Sequence, residues 1–282
     1  MIMDIRQITL DDWVLSGGGA QGESYNHKTD STKLLKLFSE QINRDEIIGE
    51  VEISRIASEN GVPCPKPGEL VQVGNRLGII FQRILNKKSF CSAIAANPDC
   101  LPDMARRLAG MARKLHATPA TDNRIPCQTD FFARLLDRLT YIQGSMRQEL
   151  ENALDIAIKQ ETHTLLHGDF HYGNVITDGQ NDYFIDLGAF CYGNPHFDTT
   201  MLYFTAFFAD EERRVQDFHI NGETTRRFWE YYKPAYFGPD AKSDKELCHE
   251  MQPYFLLRTL FFDNALGHMP IFDQFREMIL TL

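Results

Sequence analysis

The chain has 282 residues, 43% of them hydrophobic and 24% charged, with a formal net charge of -10 and a pI near 5.4. That length suits one large domain or two lobes, since single hydrophobic cores stop growing at about 250–300 residues. The acidic balance argues against non-specific nucleic-acid binding, which needs a basic face to displace counterions from phosphate, and no apolar run is long enough to span a bilayer.

In chain order, Trp13-Val14-Leu15 is a short apolar run, residues 16–22 are glycine-rich, and residues 33–38 resume as strand, so a hairpin closed by a glycine turn is expected. Residues 44–60 place Ile47, Glu50, Ile53 and Ala57 on one helical face and end in Asn60-Gly61 before a proline-broken stretch. Residues 70–73 and 77–81 flank Gly74-Asn75, the turn chemistry of a second hairpin. After Arg83 the periodicity turns helical: Met104, Leu108, Met111 and Leu115 share a face, and residues 131–160 continue as helix with a break at Gly144. The exception is two short apolar runs, Asn174-Val175-Ile176-Thr177 and Tyr183-Phe184-Ile185-Asp186, around the turn signals Asp178-Gly179 and Asn181-Asp182. From Asp198 onward, aromatic-rich helical segments dominate. These elements predict an α+β chain, with a small antiparallel sheet and one helix in residues 1–83 and a larger, mainly helical part in residues 84–282.

Phosphoryl transfer needs metal ligands on the phosphates, a fixed cation for their charge, and a carboxylate to orient or deprotonate the attacking hydroxyl. Asp169, Asn174 and Asp186, spaced over a loop and the following hairpin, carry oxygen donors of the kind Mg²⁺ prefers. Lys36 lies on a strand after the glycine run, and Glu50 falls on the apolar stripe of the following helix, where an unpaired carboxylate is costly to bury. A Lys36–Glu50 ion pair removes that cost. Gly17, Gly18, Gly19 and Gly22 formally fit G-x-G-x-x-G, but no helix opens at the last glycine, so a hairpin loop over phosphates fits better than a dinucleotide turn.

The segment His167-Gly168-Asp169-Phe170-His171-Tyr172-Gly173-Asn174, followed by Ile185-Asp186-Leu187-Gly188, resembles the aminoglycoside phosphotransferase family, the kinase-like group that includes choline, homoserine and fructosamine kinases. The family's motifs appear in its order over roughly residues 10–200. The resemblance implies a two-lobed protein-kinase-like fold binding ATP or GTP with Mg²⁺. It makes Asp169 the catalytic base and Asn174 and Asp186 the metal ligands, with His167 shaping the loop and Asp198 bracing it. It assigns Lys36 to the phosphates with Glu50 as its partner, and Phe81-Gln82-Arg83 to the hinge that pairs with adenine. Gly168 stands where protein kinases carry arginine, and only residues 187–197 separate Asp186 from Asp198, too few for an activation segment. The acceptor is therefore expected to be a small hydroxyl compound, an aminoglycoside, amino-sugar or amino-alcohol, met by carboxylates and aromatic faces among Asp210, Glu211, Glu212, Asp217, Trp229, Tyr231, Tyr232, Glu250 and Asp263, although most of these taken singly read better as a solvated acidic helix face or as buried aromatics.

Two other functions compete. His163, His167, Asp169 and His171 form a cluster that suits a zinc hydrolase, although that leaves Asn174, Asp186 and the glycines unexplained. A catalytically silent nucleotide-binding homologue is the other, set against the presence of every polar position the chemistry needs. The six cysteines are scattered with no Cys-x-x-Cys pair, which indicates free thiols. A soluble, cytoplasmic protein, monomeric or homodimeric, with no membrane or nucleic-acid partner is expected.

Overall fold

The computed structural model describes residues 5–19 and 21–282, so Met1 to Asp4 and Ala20, the latter inside the glycine run, lie outside the described residues. In chain order the elements are β1 (Arg6–Gln7), β2 (Trp13–Gly19), β3 (Gly22–His27), β4 (Lys33–Phe38), α1 (Arg44–Glu59), β5 (Pro67–Val73), β6 (Arg76–Gln82), β7 (Lys88–Ser89), α2 (Phe90–Ala96), α3 (Leu101–His116), α4 (Gln128–Arg138), α5 (Gly144–Lys159) and β8 (Thr164–Leu166). There follow β9 (Val175–Thr177), β10 (Asp182–Phe184), β11 (Cys191–Gly193), α6 (His196–Phe207), α7 (Glu211–Phe218), α8 (Gly222–Phe237), α9 (Asp244–Leu266) and α10 (Pro270–Leu280). The chain divides into two compact units, residues 1–90 with 174–190, and residues 91–173 with 191–282. The hairpin β9–β10 thus groups with the first unit, although the sequence runs through much of the second before reaching it.

In the first unit the described residues form a six-stranded sheet ordered β1-β5-β6-β4-β3-β2. All pairings are antiparallel except the short parallel β1–β5 contact. The alternation of β4 decides its two faces: Leu35 and Leu37 pack with Trp13, Val71 and Ile80, while Phe38 joins Ile47 and Val51 of α1. Lys36 shares the Phe38 face, and its Nζ lies 4.8 Å from the Phe38 ring centroid. α1 begins at the N-cap Asn43, whose side chain accepts from the Asp45 N–H, and it buries Ile47, Val51, Ile53 and Ala57.

Two expectations need correction here. The glycine run is mostly strand: Gly17, Gly18 and Gly19 belong to β2 and pair with Ser24, Glu23 and Gly22 of β3. Residues 23–38, which the sequence reads as one strand, are two strands, β3 and β4, broken by a turn in which Asp30 accepts from Thr32 and the Asp30 N–H donates to His27 Nδ1. Asp30-Ser31-Thr32 is the turn chemistry that a reading of apolar runs passes over.

In the second unit α3 packs on α8, α5 and α6 pack on α9, and α10 closes against α9. Among the described residues no helix is long and apolar enough to cross a membrane. The core is strongly aromatic, with Phe132, Phe170, Phe197, Trp229, Tyr232 and Tyr254 all buried. A two-stranded sheet of β8 and β11 leads the chain into the segment that starts at His167.

Candidate active site

In the first unit, Lys36 is the centre of a polar cluster. Its Nζ lies 2.8 Å from Glu50 Oε1, 2.8 Å from Asp186 Oδ1 and 2.9 Å from Gln21 Oε1. An ammonium has three N–H donors, so each has an acceptor. The Lys36 and Glu50 side chains are only 17% and 12% exposed, which makes this a largely desolvated pair rather than a surface one. Burial works against the Lys36 charge, but Asp186 and Glu50 outweigh it and its pKa stands above the ordinary lysine value. Burial lifts the Glu50 carboxyl above its usual range, and Lys36 opposes that only in part.

Asp186 is held by the turn that ends the β9–β10 hairpin. Its φ of 55° puts a non-glycine residue in the left-handed region, a conformation that costs energy and persists only where surroundings enforce it. Asp186 Oδ1 faces Lys36, while Oδ2 accepts no hydrogen bond among the described residues, and the side chain is 46% exposed. The Ile185 N–H donates to the Asn174 carbonyl at 2.9 Å, so the backbone of Asn174 is pinned beside Asp186, and its side chain is buried.

The glycines leave their backbone accessible. A side chain at Gly17 or Gly19 would meet nothing within 4 Å, and at Gly18 only the Gly22 carbonyl oxygen, at 3.8 Å. Gly22 is different, because its φ is 150° and a Cβ there would lie 2.2 Å from the Leu37 carbonyl oxygen. Phe81 and Gln82 end β6, and the N–H groups of Gln82 and Arg83 already donate to the carbonyls of Lys66 and Thr32 at 2.9 and 2.7 Å. Both N–H groups are thus already engaged within the backbone.

In the second unit the loop after β8 is built around Asp198, the third residue of α6. This fully buried carboxylate accepts from the His167 N–H (2.7 Å), the Gly168 N–H (2.9 Å) and His116 Nε2 (3.0 Å). His116 Nδ1 in turn lies 2.6 Å from the Tyr236 hydroxyl. Burial would raise the Asp198 pKa, but the His116 hydrogen bond and the neighbouring histidine charge and backbone N–H reverse it, so the carboxyl stands below its usual range. Gly168 has φ 83°, which explains why glycine precedes Asp169. Asp169 itself is partly exposed, with its Oδ2 3.6 Å from His171 Nε2. The Gly173 N–H donates to His171 Nδ1, so the proton of a neutral imidazole sits on Nε2, toward the carboxylate. Burial pushes the Asp169 pKa up, but His171, Arg258 and His167 more than compensate and hold it well below the ordinary carboxylate range.

Local sequence did not single out Gln21, His116, His171 or Arg258 for these roles. Arg258 did leave a signal: it is the one charge in the apolar run from Tyr254 to Phe262, and a buried guanidinium demands partners. Six of the nine acidic and aromatic residues are buried or have internal partners, as the sequence suggests for most of them taken singly. Trp229 and Tyr232 are buried, and Trp229 Nε1 donates to Asp244. Asp263 is buried against Arg276 and Tyr141, Asp210 caps α7, Glu211 binds Arg214 and the Gly222 N–H, and Glu250 pairs with Lys242. Among the described residues no group of three or more His, Cys, Asp or Glu side chains is arranged to hold a metal ion, so the histidine cluster around Asp169 does not assemble as a zinc site.

No curated protein matches this sequence. Solved structures do share its fold. An aminoglycoside-3'-phosphotransferase of type VIII aligns with a TM-score of 0.57 at 20% identity, over 88% of this chain and 93% of the other. A thermostable mutant of aminoglycoside phosphotransferase APH(4)-Ia, in ternary complex with ADP and hygromycin B, aligns at 0.64 and 12% identity, over 96% and 94%. A choline/ethanolamine kinase family protein from Mesorhizobium loti aligns at 0.54 and 17% identity, over 95% and 85%. The model of the phosphotransferase enzyme family matches residues 13–233, which takes in the glycine strand, the lysine cluster and the Asp169 loop. The chain belongs to the phosphotransferase enzyme family.

Proposed function

We propose that this protein is an O-kinase that uses ATP or GTP with Mg²⁺ to phosphorylate a hydroxyl of a small, cationic molecule of the aminoglycoside, amino-sugar or amino-alcohol type. The observation that carries this is the Lys36 ammonium, largely desolvated and divided between Glu50 and Asp186. A cation fixed by two carboxylates, only one of them on the lysine's own helix–sheet core, suits a phosphate oxygen taking over part of its coordination. Gln21 is the neutral third acceptor on Nζ, and it is the cheapest to displace. Backbone N–H groups of Gly17, Gly18, Gly19 and Gly22 would approach the phosphates, and the segment around Phe81, Gln82 and Arg83 would carry the base.

The donor set fits magnesium. Asp186 offers a carboxylate oxygen that accepts no hydrogen bond among the described residues and Asn174 an amide, both hard oxygen ligands. Asp186 and Asn174 would hold the ion, which would supply positive charge against the nucleotide phosphates.

Asp169 would receive the acceptor. The acceptor oxygen forms a bond to the γ-phosphorus, the bond from that phosphorus to the β–γ bridging oxygen breaks, the nucleoside diphosphate leaves, and the acceptor proton passes to the Asp169 carboxylate. A carboxylate held well below its usual pKa is a weak base but is ionised at neutral pH, which suits a loose transition state where orientation matters early and the proton moves late. His167 and Asp198 would hold the loop in place. A cationic acceptor is favoured by the net charge of -10 and by the fold shared with the hygromycin B complex.

Thermal denaturation with a non-hydrolysable ATP or GTP analogue tests the nucleotide arm, because a ligand at 100 times its Kd adds about 2.7 kcal/mol to stability. The melting temperature should rise with analogue plus Mg²⁺, less with analogue alone, and further with one member of a panel of aminoglycosides, amino-sugars, choline and homoserine. Absence of any nucleotide response would contradict the assignment.

A further inference from the structure

We propose that Arg258, from the middle of α9, is a positioning residue that sets the peptide plane from which Asp169 projects. Its guanidinium is fully buried and makes two hydrogen bonds, both to main-chain carbonyls: NH1 to Gly168 at 2.8 Å and NH2 to Phe197 at 2.6 Å. Those carbonyls belong to the residues immediately before Asp169 and Asp198. One planar group therefore ties together the backbone leading into the proposed base and the backbone leading into the carboxylate that braces it.

The Gly168 carbonyl and the Asp169 N–H are the two polar ends of a single rigid peptide unit. Arg258 holds the oxygen end, and the Asp169 N–H donates to His167 Nδ1 at 3.3 Å. With the preceding N–H of Gly168 fixed by Asp198 at 2.9 Å, rotation about a left-handed glycine that is intrinsically permissive is prevented on every side. The fork cannot wander either, since the guanidinium carbon lies 3.6 Å from the Phe197 ring centroid and 5.2 Å from that of Phe261.

Stability alone does not account for this residue. Arg258 has no carboxylate within ion-pair distance among the described residues, and its Nε donates to nothing there. A buried cation held only by neutral carbonyls and ring faces carries a desolvation cost that an apolar side chain in this apolar run would not. Burial lowers its pKa to about 10, so it is still charged at neutral pH, and its field helps keep Asp169 ionised.

The catalytic arm of the test rests on the kinase assignment; the hydrogen-exchange arm does not. In Arg258→Met, amide exchange across residues 167–169 should accelerate by on the order of tenfold or more while exchange in α3 and α8 stays as in the wild type. Mg²⁺-dependent ATP turnover should fall on the order of ten- to a hundredfold in kcat with KM for ATP within about twofold. The acidic limb of kcat should move to higher pH, because removing the charge lets the Asp169 pKa rise. Arg258→Lys, which keeps the charge but cannot fork onto two carbonyls, should leave the limb in place and still lose kcat. It also serves if the Met variant fails to fold. Wild-type exchange at residues 167–169 in both variants, or a loss of kcat that tracks a lower melting temperature with the limb unmoved in Arg258→Met, overturns the proposal. No ATP turnover by the wild-type protein would strike the kinase assignment instead, and exchange alone would then decide the role of Arg258.

Discussion

At the scale of single residues, the site couples charges that would be costly alone. Lys36→Met leaves Glu50 buried without its cation, so the variant should lose stability as well as transfer, the latter by on the order of 10²–10³ in kcat/KM. Adding Glu50→Gln removes the stranded carboxylate. Chemical denaturation should show the double variant more stable than Lys36→Met while activity stays lost. Asp198 behaves differently. Its folded pKa lies below the ordinary value, so it contributes stability that is fully present above about pH 4 and is lost as pH falls through the folded pKa. Asp198→Asn points an NH₂ at a cluster of donors, costing about 1–3 kcal/mol for each group left unpaired, and should flatten the acid side of the stability profile measured by urea unfolding. Glu50 was legible because a carboxylate on an apolar helical stripe breaks a local rule, whereas Lys36 was reached from its strand after the glycines and Asp198 only through the family resemblance. His116 was not, since its partner stands 82 positions away and nothing local marks it.

At the scale of elements, the glycine hairpin shows how far pattern reading carries. The apolar ends of β2 and β4 were visible, but β3, Gly-Glu-Ser-Tyr-Asn-His, has no clean alternation and is partly buried throughout, so periodicity could not separate it from its neighbour. β1 is two residues long and exists only by pairing with β5, a tertiary effect that propensity does not encode. The helices fared better: α1, α3 and the pair α4 and α5 fall where spacing, caps and Gly144 put them. Gly22 joins local geometry to function. Gly22→Ala must push its Cβ away from the Leu37 carbonyl oxygen, next to Lys36, so it should lower the melting temperature and weaken nucleotide binding in the same titration, whereas Gly17→Ala, with open space around it, should leave stability within about 0.5–1 kcal/mol.

At the scale of the whole molecule, a fold shared with phosphotransferases at 20% identity or less is specified by patterning and a few motif residues, which is why the sequence reveals the family while the acceptor stays out of reach. Acidic and aromatic residues of the second unit looked like an acceptor surface, yet Trp229, Tyr232, Asp263 and Glu211 are consumed by packing, caps and internal pairs. Composition does not distinguish a side chain that binds a ligand from one that completes a core. The central claim is that Asp169 accepts the proton of a hydroxyl while other residues hold the nucleotide. The most direct test compares wild type and Asp169→Asn for Mg²⁺-dependent ATP turnover, with and without the acceptor panel, and for binding of an ATP analogue by calorimetry. The account predicts turnover reduced by at least about 10³-fold with analogue affinity within a few-fold of wild type; equal turnover in the two proteins would contradict it.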